Sequence, residues 1–472
     1  VFLVAALGGF MVFLDGTIVN IAFPAIRAAF PGTSQADLSW VLNAYSTVLA
    51  ALLLAAGRLA DRFGRRRLFF SGLFVFTAGS ALCGVAPDAA ALIAARALQA
   101  TGAAMLVPTA LALVLPEFPL QKRAMVVGLY GAISAIAAGC GPVLGSLLIE
   151  KADWRWAFYV NVPVGLATWL YGRGVLTESR DADARDLPDP LGIIMLALSM
   201  GGLALAIVEG NDWGWHSPRI LAAFAIAALG ILFSIWRAAT HPAAVLDLTL
   251  FRVRYFSVAN TGTVLFSAAF YALLLANVLF LTGVWHYTIL QTGLGVTPGP
   301  LMAALTAPPA GRLAGRFGQR AVLVPGTLVF GSGLLLFLTR LGASPHYLTG
   351  FLPATLLTGT GVGLTLSTLS SASAAALPPA RFALGSAVNS TARQFGAVLG
   401  IALLVAILGS PTSSQAALDG FRHGWTFGLA ATLATTITAL ALGRRPVPVH
   451  VAPRKMGAQV PVGTVLAPAE SA

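Results

Sequence analysis

The sequence predicts an all-α polytopic membrane protein with fourteen transmembrane helices: two pseudo-symmetric six-helix bundles plus two extra central helices. Three observations predict it. The 472-residue chain is 57% hydrophobic and only 10% charged, with a mean hydropathy of +0.83, whereas soluble domains carry about 25% charge. The apolar residues run in stretches of about twenty, the length a helix needs to cross a bilayer, separated by short charged loops. A basic loop segment recurs late in the chain with most of its residues unchanged. Disorder is excluded, because disordered chains are poor in apolar residues. A membrane barrel would alternate apolar and polar residues, and no such alternation is visible. Cys83 and Cys140 both lie in apolar runs, where small buried hydrophobes are expected and not a disulfide framework. Val1 opens within an apolar run that has no basic flank and no A-x-A site, which reads as a trimmed terminus and not a cleavable signal.

The first six spans, at 1–24, 39–57, 68–86, 90–114, 124–149 and 156–176, form an expected N-terminal bundle over 1–176. A charged cytoplasmic linker, 177–189, follows. Spans at 190–209 and 217–238 lie in a segment, 190–254, that ends in a further cytoplasmic loop. The last six, at 255–282, 293–310, 321–339, 347–371, 384–409 and 422–442, form the C-terminal bundle over 255–442. The tail 443–472, rich in Pro, Val and Ala, has no helical period and is expected to be disordered.

Charge sets the orientation. There are 29 Lys and Arg against 17 acids, a net charge of +12. Twenty-one of the basic residues fall on the side that holds the loop between spans 2 and 3, six on the other, and two, Arg96 and Arg393, within spans. This bias places both termini in the cytoplasm. It also makes the positive charge a topology signal and disposes of nucleic acid as a partner.

Gly57-Arg-Leu-Ala-Asp-Arg-Phe-Gly-Arg-Arg66 matches Gly311-Arg-Leu-Ala-Gly-Arg-Phe-Gly-Gln-Arg320 at eight of ten positions, offset by 254. Gly141-Pro-Val-Leu-Gly145 matches Gly396-Ala-Val-Leu-Gly400, offset by 255. Two matches at nearly one offset indicate duplication. Paired six-helix halves suit a rocking transporter with a midplane cavity.

Asp15 lies deep in the first span, and an Asp at the bilayer centre costs about 2.5–3.5 kcal/mol on insertion scales, so it ordinarily faces a cavity and serves a function. A carboxyl that passes between protonated and ionised forms is a natural proton carrier, and its ionised form attracts cations. The structural alternative is a bond to a neighbouring helix. Arg96, in the fourth span, stays charged and must find a carboxylate, carbonyls or water; proton coupling with Asp15 is expected, against a snorkelling Arg. Gly57, Asp61, Arg62, Gly64, Arg65 and Arg66 read as a cytoplasmic latch or a positive-inside anchor. Gly139, Gly141, Pro142 and Gly145 allow close helix packing, and Pro142 can bend its helix. Asn20, Asn43, Tyr45, Gln99, Tyr271, Asn277, Asn389 and Arg393 are candidates for a substrate cavity. Gly359, Gly361 and Gly363 follow no strand, so a phosphate cradle is not expected. The chain has no GxxxxGK[ST], and its six histidines show no metal-ligand spacing, so neither cofactor nor metal is expected.

These motifs together resemble the major facilitator superfamily, specifically its fourteen-helix drug:proton antiporters of the EmrB/QacA type. The likeness runs from Val1 to about Leu442. Leu14 to Pro24 looks like the first-helix motif, Trp40 to Tyr45 the opening of the second, and Gly57 to Arg67 the superfamily loop. Arg96 to Gly102 resembles the fourth-helix proton-coupling motif, Gly139 to Gly145 the antiporter motif, and Trp154 to Pro163 the signature after it. Two positions depart: Gln99-Ala100 stands where Gln-Gly is usual, and Gly145-Ser146 where Gly-Gly is common. Few acids lie in the spans.

The resemblance implies a monomeric bacterial inner-membrane antiporter, not an enzyme. It would export small lipophilic drugs in exchange for protons among membrane lipids, by alternating access. The sequence leaves open an accessory periplasmic protein. It also leaves open a dedicated exporter of one metabolite such as an antibiotic, lipid or siderophore, and a non-transporting receptor on the same fold.

Overall fold

The computed structural model describes residues 1–180, 188–241, 247–375, 377, 382–411 and 413–442. The middle of the expected linker, including Arg185, then Arg381 and the expected disordered tail 443–472 lie outside the described residues. Among those described there are seventeen α-helices and no strand. They are α1 (Phe2–Ala29), α2 (Gln35–Phe63), α3 (Arg65–Gly84), α4 (Ala89–Val114), α5 (Leu120–Lys151), α6 (Trp156–Tyr159), α7 (Asn161–Val175), α8 (Pro190–Val208) and α9 (Gly210–Trp213). After these come α10 (Pro218–Thr240), α11 (Arg254–Gly283), α12 (Ile289–Val296), α13 (Pro298–Phe317), α14 (Arg320–Arg340), α15 (Leu352–Ala375), α16 (Phe382–Leu408) and α17 (Ser414–Leu440).

Local chemistry sets many of the boundaries. Ser34, Asp88 and Ser217 each accept a bond from the third backbone amide of the helix they open. Thr288 and Gln291 form a reciprocal capping box on α12. Gly64 at φ 110° turns α2 into α3, and Gly318 at φ 88° turns α13 into α14. The duplicated loop thus repeats its backbone as well as its letters, with glycine supplying the positive φ in both copies.

Eleven helical spans among the described residues are long and apolar enough to cross a membrane, so the expected count of fourteen is not reached on those grounds. The other three expected spans fall on α7, α13 and α17. α7 has only 15 residues. α13 carries Arg312, Arg316 and two internal prolines, and α17 carries Gln415, Asp419, Arg422 and His423. Other edges shift too. α1 passes through Pro24 to Ala29, and α5 runs unbroken through Pro142. The span expected at 293–310 is divided between α12 and α13.

The pairing pattern repeats along the chain. In the first half α3 and α2 pack on α4, α1 on α5, and α7 on α3; in the second, α14 and α13 pack on α15, α11 on α16, and α17 on α14. The halves meet where α2 packs on α16, α5 on α12 and α13, and α1 on α11. α8 lies against both α2 and α16, while α10 packs mainly on α8. Leu198, Leu229, Leu232 and Trp236 of this pair are exposed, as side chains facing lipid would be. At the Arg-rich end Asp189, the N-cap of α8, accepts two bonds from Arg237, at 2.7 and 3.1 Å. The Arg237 guanidinium holds the Asp189 carboxyl below its ordinary range. Gly361 packs against the backbone of Phe330 and Gly359 against that of Gly299; these glycines serve helix contact.

Candidate functional site

A buried polar cluster in the first half is built from α1, α3, α4 and α7. Asp15, Ser80, Gln99 and Asn161 have no exposed surface, and Arg96 only 1%. Arg96 Nη1 donates to Asp15 Oδ2 at 2.6 Å and to Gln99 Oε1 at 2.6 Å. Its Nε donates to the Val41 carbonyl of α2 at 3.0 Å. The guanidinium also lies 4.0 Å from the Tyr45 ring centroid, a cation–π stack. The snorkelling alternative for Arg96 therefore fails: the side chain points inward to a carboxylate.

Asp15 has further partners. Gln99 Nε2 donates to its Oδ1 at 2.8 Å, and Asn161 Nδ2 does so at 3.3 Å. Both amides also donate to Ser80 Oγ, at 2.6 and 3.1 Å. The buried Cys83 thiol reaches Gln99 Oε1 at 3.8 Å. An ionised carboxylate accepts only, and every group aimed at Asp15 is a donor, so the arrangement is that of a carboxylate balanced by one guanidinium. The cost of burying two charges is offset by this pairing and by the amide bonds.

The site is held by close packing. A side-chain carbon on Gly141 would meet Thr17, and one on Gly145 would meet Ile18, so these two glycines let α5 lie against α1 beside Asp15. Gly139 faces Pro300 and Leu301 of α13. Pro142 is buried at the same contact, its carbonyl facing Gly293 of α12.

The expected cavity residues separate into groups. Gln99 lies inside the Asp15 cluster and not on an open wall. Asn20 donates to the Gly16 carbonyl of its own helix at 2.8 Å. Asn43, Tyr45 and Asn277 are buried, each with a side-chain oxygen that has no partner among the described residues. Tyr271 stacks edge-on with Phe270 at 5.1 Å. Asn389 joins a separate uncharged cluster, donating to Asn260 Oδ1 at 3.2 Å and Thr263 Oγ1 at 2.8 Å and accepting from Ser370 at 3.0 Å. Arg393, on the same helix, has a buried Nε without a partner among the described residues. An open apolar pocket of about 400 Å³, walled by Leu82, Val85, Ala91 and Leu98 among others, includes no residue of the Asp15 cluster.

In the basic loop, Arg65 donates to Asp61 Oδ1 at 2.9 and 3.2 Å, and Arg62 lies over the Phe63 ring. Gly57 lies 4.0 Å from Pro108 of α4 by its would-be side chain. Glu178, not anticipated from sequence, accepts from the backbone amides of Arg66 and Arg67 at 3.0 and 3.2 Å and so caps α3. Arg66 also donates to the Arg173 carbonyl at 3.3 Å.

At the opposite end Glu209 is buried behind α8 and accepts from the Trp40 side chain of α2. Burial, reinforced by Asp37 and Asp212, pushes its carboxyl up to about 7. Asn211, next in the same turn, donates to the Ala406 carbonyl of α16 at 2.6 Å.

The chain thus has two halves with a repeated helix pairing, a buried Asp–Arg pair in the first, and glycines that let α5 lie against α1 beside that pair. The model of the Major Facilitator Superfamily matches residues 5–236 and 259–469. The chain belongs to this superfamily. Among its relatives is the multidrug resistance protein Stp of Mycobacterium tuberculosis, 36% identical over 85% of this chain and 74% of Stp. The puromycin resistance protein pur8 of Streptomyces alboniger is 35% identical, over 89% of this chain and 85% of that one. The tetracenomycin C resistance and export protein of Streptomyces glaucescens is 33% identical, over 70% of this chain and 62% of that one. A solved POT family peptide transporter superposes with a TM-score of 0.64, covering 96% of this chain and 98% of the other at 18% identity; that likeness concerns the fold. The chain is thus a multi-pass membrane transporter of a superfamily of carriers, and its relatives include proteins named for multidrug resistance, puromycin resistance, and tetracenomycin C resistance and export.

Proposed function

We propose that this protein is a proton-coupled antiporter that exports lipophilic drugs by alternating access, with Asp15 as the proton site and Arg96 as its counter-charge. The observation that carries the reading is the fully buried pair between Asp15 and Arg96, at 2.6 Å, in a chain whose relatives confer drug resistance. A proton arriving at Asp15 would remove one charge of the pair, leave Arg96 uncompensated, and so change the charge buried between α4 and α1, the one of these two helices that meets the second half. The contacts that must part during rocking include Glu150 with the Leu290 amide and the packing of Gly293 on Ser146.

In this reading α7, α13 and α17 complete fourteen spans, the bundles occupy 1–176 and 255–442, and both termini face the cytoplasm of a bacterial inner membrane. Asn43, Tyr45, Tyr271 and Asn277 would offer polar contacts to substrate, and Asp61 with Arg62, Arg65 and Arg66 would steady the cytoplasmic end. A second reading is a dedicated exporter of a single antibiotic. It is favoured by two relatives named for one compound each.

Flux in everted vesicles, with a panel of lipophilic cations and neutral antibiotics, tests the proposal. Flux that collapses with an uncoupler and is lost in Asp15→Asn is the expected result. Flux unchanged in Asp15→Asn would reject Asp15 as the proton site. Transport of one compound from the panel would favour the dedicated exporter.

A further inference from the structure

Resting on the reading of Asp15 as the proton site, we infer that Asn161 is its positioning residue: an amide that turns over when Asp15 gains a proton, donating to the carboxylate and accepting from the acid. Asn161 has no exposed surface, and its Nδ2 is used twice, on Asp15 Oδ1 and Ser80 Oγ. Its Oδ1 is buried with no hydrogen-bond partner among the described residues. A buried amide carbonyl left unpaired is costly, and in a native structure it calls for a reason.

The protonated state supplies one. An Asp acid has an O–H that needs an acceptor, yet each group aimed at Asp15 donates. Gln99 Oε1 already accepts from Arg96, and Ser80 Oγ already accepts from two amides. A half-turn about the last Asn161 side-chain torsion, which is broad and nearly two-fold, exchanges its N and O. Oδ1 then stands where Nδ2 was, 3.3 Å from Asp15 Oδ1 and 3.1 Å from Ser80 Oγ. It can accept from both the acid and the Ser80 hydroxyl. The same residue therefore offers Asp15 a donor in one protonation state and an acceptor in the other, with one amide atom left unpaired in each, and without displacing the Arg96 contact on Oδ2. The other charged or titratable groups around the cluster are Arg96 of α4, Cys83 of α3 and Tyr45 of α2, with Tyr271 of α11 beyond Tyr45. None is placed to exchange donor for acceptor in this way: Arg96 only donates, and the Cys83 thiol points at Gln99. Because Asn161 opens α7, the turnover also links the proton to that helix.

The test is the pH profile of substrate-driven proton flux in vesicles holding the full chain, for wild type, Asn161→Leu and Asn161→Ser. Asn161→Leu removes both the donor and the acceptor. The carboxylate keeps Arg96 and Gln99 and loses only a 3.3 Å bond, whereas the acid loses its one acceptor, so if Asn161 serves the acid its loss moves the midpoint toward lower pH, by about one unit or a tenfold higher proton concentration. If it only steadies the carboxylate, the midpoint moves to higher pH, and no shift means that the acid gains no more from Asn161 than the carboxylate does; either result overturns the inference. pH-difference infrared spectra provide a readout that does not need transport. The acid carbonyl band that disappears in Asp15→Asn should rise in frequency in Asn161→Leu and in Asn161→Ser, and an unmoved band overturns the turnover. Should Asn161→Leu fail to fold, Asn161→Ser carries both measurements. A wild type with no Asp15 band and flux indifferent to Asp15→Asn would remove the proton reading and this inference together. A normal Asp15 response with an unshifted Asn161 variant would remove the inference alone.

Discussion

Neutralising both members of the Asp15–Arg96 pair should cost less than the two single changes added together. The carboxylate and guanidinium are buried, and their contact is 2.6 Å. With charge centres about 4 Å apart and an effective dielectric of about 20, their attraction is about 4 kcal/mol. Arg96→Leu strands a carboxylate that keeps only the amides of Gln99 and Asn161, and it takes the donor from the Val41 carbonyl. Asp15→Asn strands a guanidinium that keeps Gln99 Oε1, the Val41 carbonyl and the face of Tyr45. Each single change should cost about 3–5 kcal/mol, the usual result of breaking a buried pair. The double variant has no stranded charge, so a coupling of about 2–4 kcal/mol is expected. Equilibrium unfolding in mixed micelles, followed by the fluorescence of the nine tryptophans, measures it. Costs that add to within about 0.5 kcal/mol would refute the energetic coupling on which the proton reading depends.

Other consequences follow from the packing and the caps. Gly145→Ala should destabilise by about 1–3 kcal/mol through contact with Ile18, whereas Gly16→Ala, with open space at that position, should be neutral or gain up to about 1 kcal/mol; thermal unfolding of the two variants side by side decides. Glu178→Ala should cost about 1 kcal/mol and speed hydrogen exchange at the Arg66 and Arg67 amides, the two groups it caps; unchanged exchange there would remove its capping role. Glu209, raised from 4.5 to about 7, keeps its proton in the folded state over a range where the unfolded chain has released it. Its contribution therefore falls as pH rises through that window and levels off above it. The thermal midpoint of wild type should drop between about pH 5 and about pH 7 relative to Glu209→Gln. Parallel curves would show that Glu209 is not held in this way.

Most of the helices were legible because span length and apolar content are set by the bilayer, a strong and local constraint. α7, α13 and α17 show where that signal thins: 15 residues in one, and prolines or charges in the other two, so tertiary packing must supply what apolarity does not. Asp15 and Arg96 stood out because an intramembrane charge is costly wherever it falls. Their partners did not. Ser80 and Asn161 are common polar residues in helices, and nothing in their spacing says that α3 and α7 converge on α1. Gln99 reads as a cavity residue for the same reason: periodicity gives a face of a helix but not what lies opposite. Glu178 caps α3 from a segment more than a hundred positions away in sequence, and no local rule connects the two.

The duplication explains the skeleton but not the chemistry. The pairing of helices repeats between halves, and so does the positive-φ glycine of the basic loop. Arginines of the basic loop repeat with it, but the charges within the spans do not. At the two offsets of the repeat, Asp15 corresponds to Ala269 or Phe270 and Arg96 to Gly350 or Phe351. Phe351 sits 5.3 Å from Phe337 and 5.9 Å from Trp285, within a set of aromatic rings that also holds Phe280 and Trp425. The second half thus has aromatic packing where the first half has a titratable pair. If Asp15 is the proton site as proposed, only one half needs to sense the proton, provided the other moves against it as a body. α1 meets that requirement. It carries Asp15, packs on α5 through Gly141 and Gly145, and touches α11 of the opposite half. The apolar core runs across that contact, from Ile18 and Phe23 to Phe266 and Phe280. On the proposed reading, a change of charge at Asp15 falls on the helix that belongs to both surfaces, and the packed aromatic rings of the second half are what it acts against.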